Sequence, residues 1–205
     1  MNDYYSDEQI RKNIREKKLR RRRNRRIAII CIALILAVVD GVFIGKAIGN
    51  KRFDKEATAL VPVAADMPLI NTAINEIGNE GGAKFWSWYG FDSHVAWCAC
   101  FVSWCESKNG YLSDGTGTKF ASVQNGIDFF KSKGRWINGG EEPAPGDLIF
   151  FDWEPDGLRD HVGIVTQVID DTVFAVEGNS SDRCRMKRYM IDDDCIYGYG
   201  KMDKA

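Results

Sequence analysis

Residues 147–178, DLIFFDWEPDGLRDHVGIVTQVIDDTVFAVEG, contain three short apolar runs separated by turn-forming residues. The runs are rich in β-branched and aromatic residues, which is typical of strands. The short connection at 169–171 suits a hairpin, so the strands on either side of it are expected to pair antiparallel. Together with two later runs of the same kind, they predict five strands, at 147–153, 161–168, 172–178, 184–190 and 195–201.

Before these strands, apolar residues recur at helical spacing. One predicted helix is capped by Asp66 and ends at Gly78 or at the Gly81-Gly82 pair, and a second covers 120–130 and is closed by Gly134. Helices followed by consecutive strands predict an α+β domain in which the N-terminal helices pack on an antiparallel sheet.

The formal net charge of −1 conceals two oppositely charged parts. Residues 1–26 hold eleven basic and four acidic side chains, whereas residues 27–205 hold 17 basic and 25 acidic ones. Directly after the basic run, residues 27–45, IAIICIALILAVVDGVFIG, are apolar apart from Asp40. At about 1.5 Å per residue in a helix, this segment just crosses a hydrocarbon core of roughly 30 Å.

The basic flank predicts that the N-terminus stays in the cytoplasm and that the C-terminal part is extracytoplasmic. A cleaved signal peptide has the same polarity, but its basic region is normally short, and only a poor small-residue site follows the apolar run. We therefore favour a single-pass anchor in the cell membrane, with the lipid bilayer as a partner. Membrane topology and anionic headgroups account for the arginine run without nucleic acid.

These features divide the chain into four parts. A basic cytoplasmic tail covers residues 1–26, a transmembrane helix 27–45, a stalk 46–66 and a globular domain 67–205. Even fully extended, at roughly 3.3 Å per residue, the last seventeen stalk residues span only about 56 Å. The domain is expected to act near the membrane.

Residues 96–105, AWCACFVSWC, hold three cysteines. In a helix from Cys98 to Ser107, Cys100 points away from Cys98, and Cys105 lies two turns away, about 10.5 Å along the axis. One metal ion or an internal disulfide therefore cannot gather them, and two histidines in the whole chain argue further against zinc. The disulfide pairing of Cys100, Cys105, Cys184 and Cys195 stays open.

Cys98 is either apolar filler or a nucleophile. Its place at the start of a helix favours the second reading, because the unpaired N–H groups and the macrodipole stabilise a thiolate. His94, in a loop, is a weak candidate for the base that such a nucleophile needs. His161, which opens a strand, is the stronger one, and pairing about the 169–171 turn brings Glu177 or Asn179 beside it.

The segments AWCACFVSWC, PGDLIFFDW, DHVGIV and VEGNSS, in this order and spacing, closely resemble the CHAP family, the cysteine, histidine-dependent amidohydrolases/peptidases. The resemblance runs over most of residues 66–202. It implies a papain-like α+β fold and hydrolysis of an amide bond in peptidoglycan, either between muramic acid and L-alanine or within the stem peptide or cross-bridge. By motif, Cys98 would be the nucleophile, His161 the base, and Glu177 and Asn179 the orienting groups.

No cofactor is required by this chemistry. Asp152, Asp156 and Asp160 fall at positions 1, 5 and 9 of a calcium-loop pattern, but Gly163 stands at position 12, where a bidentate Glu is expected. A Pro-Asp-Gly turn between two strands is the simpler interpretation, with structural calcium as the alternative.

Trp97 and Trp88 are candidate substrate-binding residues, although most of the tryptophans are expected in the core. A peptidoglycan hydrolase anchored in the membrane is the favoured function. A non-catalytic wall-binding or scaffold subunit of a membrane-spanning complex is the alternative from another class. Transpeptidation is a further possibility within enzymes, if an amine excludes water from the acyl-enzyme.

Overall fold

The computed structural model describes residues 67–154 and 159–202. The predicted cytoplasmic tail, transmembrane helix and stalk lie outside these residues, as does the Asp66 cap. Within the described ranges, no helix is long and apolar enough to cross a membrane.

Four helices come first in the described chain and six strands follow, which confirms the predicted α+β class. The helices are α1 (Pro68–Ile74), α2 (Ala83–Tyr89), α3 (Cys98–Lys108) and α4 (Val123–Ser132). The strands are β1 (Trp136–Asn138), β2 (Leu148–Phe151), β3 (His161–Ile169), β4 (Thr172–Glu177), β5 (Arg185–Met190) and β6 (Ile196–Gly200).

The strands form one sheet in the order β1-β6-β2-β3-β4-β5, and every neighbouring pair is antiparallel. The β3–β4 hairpin turns at Asp170, whose φ of 49° lies in the left-handed region that Asp tolerates. Strand β1 was not predicted from the sequence, because three residues are too few to show an alternating pattern. It extends the sheet by pairing with β6.

Helix α3 lies at the centre of the helical layer. Its predicted range of Cys98 to Ser107 is confirmed to within one residue, and every residue from Cys98 to Glu106 is buried. Cys98, Phe101, Val102 and Cys105 recur at helical spacing and form one apolar stripe of the helix. Cys100 and Trp104, which lie off that stripe, are also buried, because α1 and α2 pack against the helix as well as the sheet.

Two glycines allow the elements around the start of α3 to approach closely. Gly82 precedes α2 with a φ of 58°, and a Cβ there would lie 2.2 Å from the Trp97 ring. Gly178 directly follows β4, and a Cβ there would lie 2.5 Å from the Cβ of Phe101. Because neither position has room for a larger residue, the first turn of α3 is held against the end of β4.

The flanking helices follow the sequence pattern with shifted ends. Helix α1 is shorter than predicted: it stops at Ile74, and the chain then turns to Gly78. Helix α4 begins at Val123, three residues later than predicted, and ends at Ser132, two residues later than predicted; it is closed at Gly134, whose φ is 67°. Helix α2 was not predicted, because its aromatic-rich sequence, AKFWSWY, shows no helical stripe.

Candidate active site

Cys98 is the first residue of α3 and is 5% exposed. At this position it has no turn of helix before it, so its side chain lies beside the unpaired N–H groups of the helix start. The five cysteines of the described chain are all free thiols. A buried thiol at a helix start is suited to hold a negative charge if a cation lies beside it.

His161 supplies that cation. It is the first residue of β3 and is 4% exposed. Its Nε2 lies 3.1 Å from Oε2 of Glu177, and the Cys98 side chain is close enough to the imidazole to raise its pKa. Burial alone would lower the pKa of His161, but the interactions with Cys98 and Glu177 outweigh it and raise the pKa to about 10.

The imidazole and the thiol meet at the end of the sheet. His161 and Glu177 alternate with Val162 and Val176, which pack in the core that contains α3, so they belong to the opposite face. The contact therefore lies at the start of β3, where the first turn of α3 lies beside the strand ends.

Glu177 is the last residue of β4 and is 1% exposed. The hairpin register pairs it with Gly163, two residues from His161 on the same face. Its two carboxylate oxygens have separate partners: Oε2 faces His161, and Oε1 accepts a 2.6 Å hydrogen bond from the Tyr189 hydroxyl. The predicted proximity of Glu177 to His161 is therefore observed.

Asn179 lies just beyond β4 with a φ of 58°, so the backbone leaves the strand direction there. Within the described chain, no hydrogen bond joins Asn179 to His161. Of the two candidate orienting residues, the structure brings only Glu177 into contact with the imidazole.

Two aromatic residues that sequence reasoning did not assign to the site pack against the imidazole, and a third packs behind one of them. Trp153 stacks on His161 with ring centroids 5.0 Å apart, and Phe151 lies 5.9 Å away. Phe151 also packs on the Tyr189 ring at 4.7 Å. A signal was present in the sequence, since alternation in LIFFDW places 151 and 153 on one face. The register with the next strand could not be predicted, because the connection at 152–160 is too long to set it.

The other candidate residues lie apart from this contact. Trp97 is fully buried and stacks on Phe85, so it packs in the core and its ring cannot line an open groove. Trp88 is half-buried beneath the Lys119 ammonium. His94 is exposed and bonds Asp182 at 2.8 Å, which agrees with an ordinary loop residue.

Two of the three calcium candidates already have protein partners. Asp152 accepts a hydrogen bond from Arg159, and Asp160 accepts from the backbone N–H groups of Trp153 and Glu154. Asp156 lies outside the described residues. Within the described ranges, no group of three or more metal-ligating side chains occurs.

We expect a calcium chelator to leave the melting temperature of the protein unchanged, because Asp152 and Asp160 are held by donors in the protein itself. Differential scanning fluorimetry with and without the chelator measures this. A fall in melting temperature that added Ca²⁺ restores would instead establish a calcium site in the 152–160 loop.

A family model described as the CHAP domain matches residues 88–179. The chain is similar to this domain family over that range. The matched range includes Cys98, His161, Glu177 and Asn179, so every candidate catalytic residue lies inside it. Its helix with an N-terminal cysteine, packed on a sheet that supplies the histidine, agrees with the arrangement expected of a cysteine-dependent amidohydrolase domain.

The solved structures that match the chain share little sequence with it. Ly7917 matches with a TM-score of 0.42 at 17% identity, covering 64% of this chain and 60% of Ly7917. Ly7917 with the hydrolysing product of MDP matches with a TM-score of 0.40 at 18% identity, covering 63% of this chain and 61% of that one. A protein similar to an NLP/P60-family lipoprotein from Staphylococcus aureus subsp. aureus Mu50 matches with a TM-score of 0.42 at 16% identity. The match covers 80% of this chain and 46% of that one.

The chain therefore spans between 46% and 61% of the lengths of these solved proteins. No curated protein matches it closely enough to count as a relative.

Proposed function

We propose that the chain is a peptidoglycan hydrolase that cleaves an amide bond by covalent thiol catalysis. The observation that carries the proposal is the buried Cys98–His161–Glu177 set inside the range that matches the CHAP domain. The scissile bond is either the N-acetylmuramoyl-L-alanine amide or a peptide bond of the stem or cross-bridge.

The first half of the reaction makes an acyl-enzyme. The Cys98 thiolate attacks the carbonyl carbon, and backbone N–H groups at the start of α3 stabilise the oxyanion. His161 donates its proton to the leaving nitrogen as the C–N bond breaks, so the amine departs neutral. The carbonyl carbon is then bonded to the Cys98 sulfur as a thioester.

The second half releases the product. Water occupies the place of the amine, and neutral His161 takes a proton from it as its oxygen attacks the thioester. The C–S bond breaks, the carboxylic product leaves, and the thiolate and imidazolium are restored. Protein groups carry every proton, so the mechanism needs no cofactor.

The environment of His161 supports this order of events. With its pKa raised to about 10, the imidazole is protonated at neutral pH before substrate binds. The proton that the leaving amine needs is therefore already in place. The Glu177 carboxylate stabilises the imidazolium and fixes the ring, while Asn179 stays a proposed second orienting group.

The proposal places the domain outside the cytoplasm. Residues 27–45 would anchor it in the membrane with residues 1–26 inside, and the 46–66 stalk would keep it close to the bilayer. The apolar segment and its basic flank support this placement.

Digestion of purified peptidoglycan by the whole protein, followed by mass spectrometry of the released muropeptides, tests the function. We expect each product pair to gain one water, and the fragment masses to identify the amide that was cut. Products joined to an added amine without gain of water would indicate transpeptidation. Binding to the wall with unchanged muropeptides would contradict the proposal and favour a scaffold role.

A further inference from the structure

We infer that Tyr189 is a positioning residue of the Cys98–His161–Glu177 site, and that it acts by fixing the Glu177 carboxylate. Its hydroxyl donates a 2.6 Å hydrogen bond to Oε1 of Glu177, while Oε2 of the same carboxylate faces His161 at 3.1 Å. The inference rests on the proposed function, because it concerns the same three residues.

The Glu177 carboxylate cannot rely on solvent for this support. It is 1% exposed, so an oxygen that lost its donor would remain as a buried, unsatisfied acceptor. Tyr189 satisfies the oxygen that His161 does not use. The two hydrogen bonds together define the rotation of the carboxylate, and this rotation sets the direction of the hydrogen bond to the imidazole.

The Tyr189 side chain is itself well fixed. Its ring packs on Phe151 with a centroid distance of 4.7 Å, and Phe151 pairs with His161 across the β2–β3 ladder. Burial, followed by the charge of Glu177 and the hydrogen bond to it, raises the pKa of Tyr189. The hydroxyl is therefore protonated, and acts as a donor, throughout the range in which His161 is charged.

Tyr189 acts through Glu177 and does not contact Cys98. In register it lies opposite Val173 on β4, four residues before Glu177 and on the same face. A loss of Tyr189 should therefore disturb the protonation and orientation of His161 without altering contacts to substrate. This separates its effect from that of a substrate-binding residue.

The matched pair Tyr189→Phe and Tyr199→Phe tests the inference. Each change removes one phenolic oxygen and keeps the ring. The Tyr199 hydroxyl is buried and has no hydrogen-bond partner among the described residues. Its removal is expected to leave kcat, KM and the pH profile unchanged.

For Tyr189→Phe we expect kcat on peptidoglycan to fall about tenfold with KM unchanged, because a hydrogen bond to a charged group is lost. The alkaline limb of the pH profile should move to lower pH, because a poorly oriented carboxylate stabilises the imidazolium less. A wild-type kcat and pH profile would overturn the inference. So would a lower kcat with an unchanged alkaline limb, since that indicates only structural damage.

Alkylation of Cys98 by iodoacetamide as a function of pH separates this inference from the proposed function, because it needs no cell wall. As pH rises and His161 loses its proton, the positive charge beside the Cys98 sulfur is lost and the alkylation rate changes. This change should occur at lower pH in Tyr189→Phe than in the wild type, so the two rate profiles should differ on the alkaline side. If the profiles differ although peptidoglycan is not cleaved, Tyr189 keeps its role and the proposed substrate is wrong. Identical profiles would overturn the role of Tyr189 even if the wall is cleaved.

Discussion

Replacing Cys98 with alanine is expected to abolish the release of new amine and carboxyl groups from purified cell walls. The variant has no thiolate to form the thioester, and neither His161 nor the helix start can replace it. The loss should be on the order of 10⁴- to 10⁶-fold, as for other enzymes that lose a covalent nucleophile. Muropeptide analysis after a long digestion measures the residual rate.

Cys100→Ala is the matched control for this change. Cys100 lies on the same turn of α3 and is fully buried, but burial raises the pKa of its thiol to about 11, and it does not contact His161. The Cys100→Ala variant should therefore retain activity, although it loses a similar number of packing contacts. Activity retained in Cys98→Ala, or lost equally in both variants with both still folded by circular dichroism, would refute the assignment of the nucleophile.

Replacing Glu177 with glutamine should lower kcat/KM on the order of 10²- to 10⁴-fold, the range of a general acid–base contribution. The substitution keeps the shape of the side chain but removes the negative charge beside His161. Burial, which lowers the pKa of His161, is then opposed by Cys98 alone, so the pKa falls from about 10. His161 therefore loses its proton at a lower pH, and the alkaline limb of activity moves to lower pH.

Glu106→Gln controls for the loss of a buried carboxyl. Burial raises the pKa of Glu106 and so favours its uncharged form, which glutamine resembles. The control should keep both the rate and the pH profile. A Glu177→Gln variant with a normal rate and an unshifted alkaline limb would show that Glu177 does not orient the imidazole.

The sequence predicted the parts of the fold that have a regular pattern. The strand at His161 and the hairpin to Glu177 were predictable, because alternation and a short turn together specify both the pairing and the face. Helix α3 was predictable from its apolar stripe. Helix α2 and strand β1 were not, since the first is aromatic nearly throughout and the second is three residues long.

At the active site, the sequence-based prediction missed residues for a different reason. Tyr189 contacts Glu177 from β5, and Trp153 contacts His161 from just beyond β2, in each case between strands that are consecutive in the chain. The connections at 178–184 and 152–160 are too long to set the register as a short hairpin turn does, so the sequence did not specify which side chains meet. Trp97 was expected near substrate because it adjoins Cys98, but its ring turns inward against Phe85 and its indole N–H donates to Asp182.

The close approach of Gly178 to Phe101 has a consequence for how the protein loses activity. It joins the turn that carries Cys98 to the strand that carries Glu177, with no space between the two backbones for independent motion. Local opening of either element would break this contact and expose its apolar surroundings, so the two are expected to belong to one cooperative unit. Thermal inactivation should then coincide with global melting instead of preceding it.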